Sequence, residues 1–172
     1  MWYIEQVEKN QLGIVAQIIK RAYLSQIERL KITKENWPDY IAFKTGDILE
    51  KEAHENRDFY LLYEDQEAVG TVCIDHSLSA FKKGYVQGLA VLKEAREKGW
   101  GTKLMEYAEN ILFEKGAECV EISIVKEDHD METFATHRGY EMTHEVSVGY
   151  LPYDIAYLQL KRKEFKIRHK KK

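Results

Sequence analysis

Hydrophobic positions along the chain recur with two periods. Residues 2–7, rich in aromatic and β-branched side chains, read as a first strand. The spacing then changes to three and four. Leu12, Val15, Ile18, Ile19, Ala22, Tyr23 and Ile27 share one side of a helix that Asn10 can cap. A polar stretch, 31–36, ends at Trp37-Pro38, and a second helical segment runs over 39–53, where Gly46 divides it into one or two pieces. Residues 58–63 and 68–75 are strand runs joined by a short hairpin-like link, Glu64 to Glu67. A loop over 77–84 leads to a strand at 85–92. The pattern predicts a helix over 101–115, with Leu104, Met105, Ala108, Ile111 and Leu112 inward and Gly116 as its stop. A strand at 120–125 follows, then a short helix capped by Asp128 or Asp130 and ending before Gly139. Strands at 140–148 and 155–160 turn through Leu151 to Asp154. The order β α α β β β α β α β β gives seven strands and four helices. It indicates a mixed α/β or α+β architecture, with helices covering a largely central sheet.

Composition narrows this. A chain of 172 residues and 20.2 kDa fits one domain, and 44% hydrophobic with 32% charged residues excludes wholesale disorder. Mean hydropathy is −0.52, and no apolar run approaches the ~18 residues of a membrane span. The first residues lack the basic and apolar regions of a secretory signal. Cys73 and Cys119 each sit in an apolar run, which excludes a disulfide scaffold and predicts buried free thiols in a reducing cytoplasm. Net charge is −3, but 161–172 holds eight Lys/Arg against one Glu, so that tail carries +7 and residues 1–160 carry −10. The acidic body favours cationic partners and argues against a general nucleic-acid surface. The tail reads as a solvated extension beyond the last strand, with RNA, DNA or acidic lipid as its alternative guests.

One segment carries a chemical signal. The predicted strand ending Leu89-Ala90-Val91-Leu92 runs into a polar turn, and Arg96-x-x-Gly99-x-Gly101 opens the longest predicted helix. The first amides of a helix lack intrahelical acceptors, and the helix dipole places roughly half a positive charge there. Glycines let an oxyanion approach those amides closely, and Arg96 and Lys98 add formal charge. A diphosphate suits such a cradle; a glycine turn with solvated charges is the plainer alternative. No Gly-Lys-Ser/Thr follows, and the third glycine and distant acid of a dinucleotide fingerprint are missing. The histidines show neither HExxH nor Cys-His spacing, so no metal site is expected, and no G-x-S-x-G elbow is present.

The wider pattern resembles the GNAT superfamily of acetyl-CoA-dependent N-acetyltransferases. That family's first signature is a strand reading L-A-V followed by R-x-x-G-x-G/A, matched by Leu89-Ala90-Val91 and Arg96-x-x-Gly99-x-Gly101. Its second is a strand, a polar residue, and a short helix ending L-Y-x-x-x-G-F. Residues 120–125, Asp128 and Phe134-Ala135-Thr136-His137-Arg138-Gly139-Tyr140 match it. The resemblance implies a single GNAT-like domain over 1–160, followed by the basic tail 161–172. It implies a central, mostly antiparallel sheet of about seven strands flanked by about four helices.

The resemblance also implies roles. The central strand would splay at a bulge, so that main-chain groups of Leu89, Ala90 and Val91 pair with the cofactor arm like an added strand. The Val91 amide would stabilise the oxyanion formed on the thioester. Arg96 and the amides of Glu97, Lys98, Gly99, Trp100, Gly101 and Thr102 would hold the pyrophosphate, with Asp128 and Phe134 nearby. Asp128 stands at the common Asn position and, when ionised, has no side-chain proton to donate. Ala135 stands where many members carry a Tyr that protonates the leaving thiolate. Tyr85 stands where some carry a Glu base, and it is a poor base at neutral pH. Tyr150, Tyr153, Gln87, Asp39, Glu50 and His54 are the remaining candidates around the acceptor slot. The expected partners are acetyl-CoA as cosubstrate, a primary, cationic amine acceptor (a small molecule or a protein amine), and a second copy of the chain, without a membrane or nucleic acid. A coenzyme A-binding sensing module with little transfer activity is the alternative.

Overall fold

A computed structural model of the chain describes residues 1–79 and 81–170. It forms one seven-stranded sheet. Strands β1 (Trp2–Gln6), β2 (Arg57–Glu64), β3 (Glu67–Asp75), β4 (Lys83–Val91), β5 (Cys119–Val125), β6 (Glu141–Ser147) and β7 (Asp154–Lys161) lie in the order β1-β2-β3-β4-β5-β7-β6. Every neighbouring pair is antiparallel except β4–β5, where the chain crosses over through a helix. The mixed, mostly antiparallel sheet agrees with the sequence expectation.

Six α-helices flank the sheet among the described residues, against the four expected. The first expected helix divides at Tyr23 into α1 (Leu12–Ala22) and α2 (Leu24–Leu30). It starts later than Asn10 suggests, because Glu8 and Gln11 form a capping box around a single 3₁₀ turn. Gly46 begins a helix instead of interrupting one: α3 (Gly46–Glu52) is capped by Thr45, whose hydroxyl accepts from the Ile48 amide. The link between β2 and β3 is a two-residue turn in which Asp65 and Gln66 both have positive φ (49° and 73°), the hairpin geometry that matches strand twist. The sixth helix, α6 (Arg162–Lys170), replaces the solvated extension expected after the last strand. Arg162 donates to the carbonyls of Phe113 and Ala117, and Phe165 packs on Phe113 with ring centroids 4.6 Å apart. Residues 171–172 of that tail lie outside the described residues.

Each face of the sheet has its own core. Helices α4 (Trp100–Glu114) and α5 (His129–His137) cover one, where Leu104, Met105 and Leu112 meet Val72, Ile74 and Leu158. Helices α1 and α3 cover the other, where Val15, Ile19 and Leu49 meet Phe59, Leu61 and Cys73. Burying each such side chain contributes roughly 1.5–3 kcal/mol, which fixes α1 and α4 firmly on opposite faces.

The sheet opens in its middle. β4 and β5 pair only at Lys83, Gly84 and Tyr85, opposite Cys119, Val120 and Glu121. Two residues farther along β4 the register with β3 shifts: Cys73 faces Gln87 but Thr71 faces Ala90, so β4 carries an extra residue. Gly88 lies in this bulge with φ +60°, and a Cβ there would meet the Ile41 side chain at 3.1 Å. The bulge bends β4 away from β5 and leaves a V-shaped gap between two strands of one sheet.

Candidate active site

The gap is bordered by a loop whose main chain is largely unused. β4 ends at Val91, a 3₁₀ turn at Lys93–Ala95 follows, and the Ala95 methyl is buried in the core. Glu97 and Gly99 take left-handed backbone (φ 65° and 81°), and Gly99 caps α4. The first hydrogen bond inside α4 runs from the Lys103 amide to the Gly99 carbonyl at 3.1 Å. Among the described residues, the amides from 97 to 102 therefore find no acceptor in the chain. A Cβ on Gly99 would meet nothing within 4 Å, so the space beside these amides is open. They form a compact set of donors at the positive end of a fifteen-residue helix.

Arg96 holds this loop in place. Its Nε donates to the Val91 carbonyl at 3.1 Å and its Nη2 to the Ala22 carbonyl, at the end of α1, at 2.6 Å. Lys98 faces elsewhere: its Nζ lies 2.6 Å from Glu64 on β2, and the Trp100 indole donates to the same carboxylate at 2.7 Å. Hydrogen bonding from Lys98 holds the Glu64 carboxyl below the usual carboxylate range. The charge of Lys98 is thus directed to β2 and not to the loop's amides.

The gap itself is lined by main chain. The Leu92 amide donates to Val69 on β3. Alternation along an antiparallel pair then turns the Val91 amide away from β3 and into the gap. The Val91 carbonyl is taken by Arg96, and the Leu89 carbonyl by the Tyr23 hydroxyl at 2.9 Å. Phe134 of α5 stands 3.8 Å from the Cβ position of Gly101 and closes the gap on the α4 side.

Gap and loop open into one cavity of about 790 Å³. Of the residues singled out from sequence it brings together Leu89, Ala90, Val91, Arg96, Glu97, Gly99, Trp100, Gly101, Thr102, Asp128 and Phe134, and from the candidates for the acceptor slot Gln87 and Asp39. Lys98 does not line it. Tyr85 is half-buried at the closed end of the gap, opposite Glu121, and Tyr150 is 77% exposed on the β6–β7 turn. Neither tyrosine lines the cavity. Ala135 is packed into the core and brings no hydroxyl to it. Tyr153 is occupied by the end of α2, where it donates to the Leu30 and Lys31 carbonyls. His54 lies 3.7 Å from Asp75, outside the cavity.

The opposite wall joins Asp128, singled out from sequence, to Gln26, Arg29 and Tyr40, which sequence reasoning missed. Asp128 is buried and caps α5 through the Met131 amide at 3.3 Å. It also accepts from Gln26 at 2.5 Å and from Arg29 at 2.9 Å, and Arg29 reaches Asp130 as well. Tyr40 donates to Gln26 at 2.7 Å and extends the network toward Trp37. This clasp joins α2 to the start of α5 across the cavity. Burial raises the phenols of Tyr23 and Tyr40 above the usual tyrosine range, with nearby Asp128 adding to the effect, so both stay protonated and serve as donors. Gln26 and Arg29 share one helix face at a spacing of three, the one sequence signal for that pair. Among the described residues, no group of three or more His, Cys, Asp or Glu side chains is placed to hold a metal ion. No described helix is long and apolar enough to cross a membrane.

Comparison with known proteins agrees with this geometry. The family model for the acetyltransferase (GNAT) family matches residues 22–140. No curated protein sequence shows significant similarity. Among solved structures, the chain is similar to a PaiA N-acetyltransferase from Thermoplasma acidophilum in complex with coenzyme A (15% identity, TM-score 0.75, 94% of this chain and 99% of that one). It is also similar to a probable acetyltransferase from Staphylococcus epidermidis (15%, 0.73, 94% and 99%). A third is the ribosomal-protein-S18-alanine N-acetyltransferase from Escherichia coli (12%, 0.71, 94% of each).

Proposed function

Since the chain belongs to the GNAT acetyltransferase family, we propose that it transfers an acetyl group from acetyl-CoA to a primary amine, both bound at once in the cavity between β4 and β5. The observation that carries this reading is the row of amides from 97 to 102, without acceptors in the chain and continuous with an opened sheet edge. These amides would hold the diphosphate of the carrier. Arg96 keeps the loop in register by its two carbonyl contacts, a positioning role. The main chain at Leu89 and Val91 would align the pantetheine arm as an added strand, with Phe134 beside it.

Acetyl-CoA, when bound, supplies the acyl group as a reactive thioester. The Val91 amide would donate to the thioester oxygen as the amine adds and charge grows there, the kind of preorganised contact that lowers such barriers most. Holding amine and thioester together supplies the remaining advantage, proximity. Neither Tyr85 nor Ala135 offers acid-base help, so the amine that adds gives up its proton to solvent water, and the C–S bond breaks to release a thiolate on its own moderate basicity (thiol pKa ~8.5). A cytoplasmic location goes with this reading, since Cys73 and Cys119 are both free thiols.

Thiol release from acetyl-CoA across a chemically diverse panel of amines tests the proposal. Turnover above the uncatalysed rate with at least one amine is the expected result. Tight coenzyme A binding with no turnover on any amine would favour a sensing module instead.

A further inference from the structure

The cationic side chains around the cavity are not equivalent. Arg29 is neutralised by Asp128 and Asp130. Lys44 is held by both oxygens of Glu52, at 2.9 and 2.8 Å. Arg96 spends its N–H groups on two main-chain carbonyls. Arg57, at the start of β2, lines the same cavity with no carboxylate within ion-pair distance among the described residues. Asp75, its cross-strand neighbour, is taken by Ser77 and approached by His54, and Asp58 is taken by His76.

Arg57 is nevertheless held in a fixed pose. Its Nε contacts the Cys73 sulfur at 3.4 Å and its Nη2 donates to Gln87 Oε1 at 2.7 Å. Its guanidinium lies 5.8 Å from the centre of the Phe59 ring. A merely solvated arginine would not be pinned on three sides. The contact with Gln87 also settles that side chain's orientation. A guanidinium cannot accept, so the Gln87 oxygen must face it, leaving the Gln87 amide N–H groups to other partners. Arg57 and Gln87 together therefore present a fork of unused donors beside the β4 bulge, where the acyl group would lie. Planar, paired donors of this kind match a carboxylate. Asp39, exposed and, among the described residues, without a basic partner within ion-pair distance, lines the same cavity and suits an ammonium group.

We infer that the acceptor is an amine that also carries a carboxylate, of the amino-acid type, and that Arg57 with Gln87 binds that carboxylate. This rests on the acetyl-transfer reading above and deepens it. The net −10 of residues 1–160 suggests a purely cationic acceptor, but the local charge at the bulge favours a zwitterion. No covalent step involves Arg57; it sets which amine is accepted and how it lies.

The test compares L-amino acids with their own carboxamides as acceptors, with acetyl-CoA as donor. The expected selectivity of the unaltered protein for the acid over the amide is about tenfold or more in kcat/KM, carried mainly by KM. Arg57→Gln should bring that ratio to about one, and Arg57→Lys, which keeps charge but loses the fork, should leave it between the two. Coenzyme A affinity, measured by calorimetry on each variant, reports that the fold and the other half of the site are intact. Equal use of acids and amides by the unaltered protein, or a ratio unmoved in Arg57→Gln, would overturn the inference while leaving acetyl transfer standing. Calorimetry of the same amino acids against coenzyme A-saturated protein gives a readout free of turnover, and no heat from any of them at millimolar concentration would also overturn it. Failure to bind coenzyme A would remove the acetyl-transfer reading itself.

Discussion

The two halves of the cavity are made from different materials. The loop at 96–102 is main chain, with amides set by two left-handed residues and the start of a helix. The opposite wall is side chain: Gln26, Arg29 and Tyr40 from the segment after α1, Asp128 from the start of α5, and Arg57 with Gln87 from two strands. A main-chain site is insensitive to most substitutions within it, but it depends on glycine and helix position. A side-chain site depends on each residue and on elements distant in sequence. The first suits a guest common to a whole family and the second a guest particular to one member.

The sharpest way to break this comparison is to put charge into the main-chain half. Gly99→Glu places a carboxylate where the backbone is left-handed and the surrounding space is open. Coenzyme A affinity should fall by about 100-fold, roughly 2.7 kcal/mol, from repulsion and lost access together. Gly99→Asn, which tolerates that backbone, should cost about tenfold or less. Calorimetry on both variants checks the order.

That half was also the part legible in sequence. Arg96, Gly99 and Gly101 lie within six residues, so local spacing alone reveals a donor loop. The bulge and the opening of β4 from β5 were carried by resemblance, since an extra residue on one strand has no pattern of its own. The other half is legible only in part: Asp128, Gln87 and Asp39 stand out in the sequence and line the cavity, but Gln26, Arg29, Tyr40 and Arg57 do not, for a physical reason. Its contacts join residues about 100 apart, such as Gln26 to Asp128, and no periodicity encodes them. Tyr150 stands in a turn beside the expected acceptor slot, yet that turn leaves it exposed to solvent. The charge of Lys98 suits an anion cradle, but Glu64, distant in sequence and adjacent in space, takes it. The basic tail reads as polar because Phe165 and Ile167 alone interrupt it, and one aromatic ring on Phe113 is enough to dock its helix.

A smaller effect sharpens the account of the side-chain wall. Asp128→Ala removes the α5 cap and leaves Gln26 and Arg29 without their shared acceptor. Stability should fall by about 2–3 kcal/mol in denaturant unfolding, with Asp128→Asn, which keeps the cap, losing less. Equal losses would mean that the clasp across the cavity, and not the cap, is what Asp128 supplies.

The last effect is in pH. Burial pushes the Cys73 thiol, beneath Arg57, up to about 11, while Arg57 works in the opposite direction. The native chain then holds that proton more tightly than the unfolded chain, whose thiol titrates near ~8.5. This contribution is complete below that value and is lost as pH rises through about 11. Urea unfolding at increasing alkaline pH should show the decline, and Cys73→Ala should flatten it. Arg57→Gln should raise the thiol further and steepen it.

The central claim is that the amides of 97–102 take the diphosphate of coenzyme A. Backbone amide chemical shifts recorded while coenzyme A is titrated into isotopically labelled protein test it most directly. The account predicts saturable shifts concentrated at residues 97–102 and at Val91, with little change at Tyr150 or along α6. Shifts absent from that loop at millimolar coenzyme A, or confined to another part of the molecule, would contradict it.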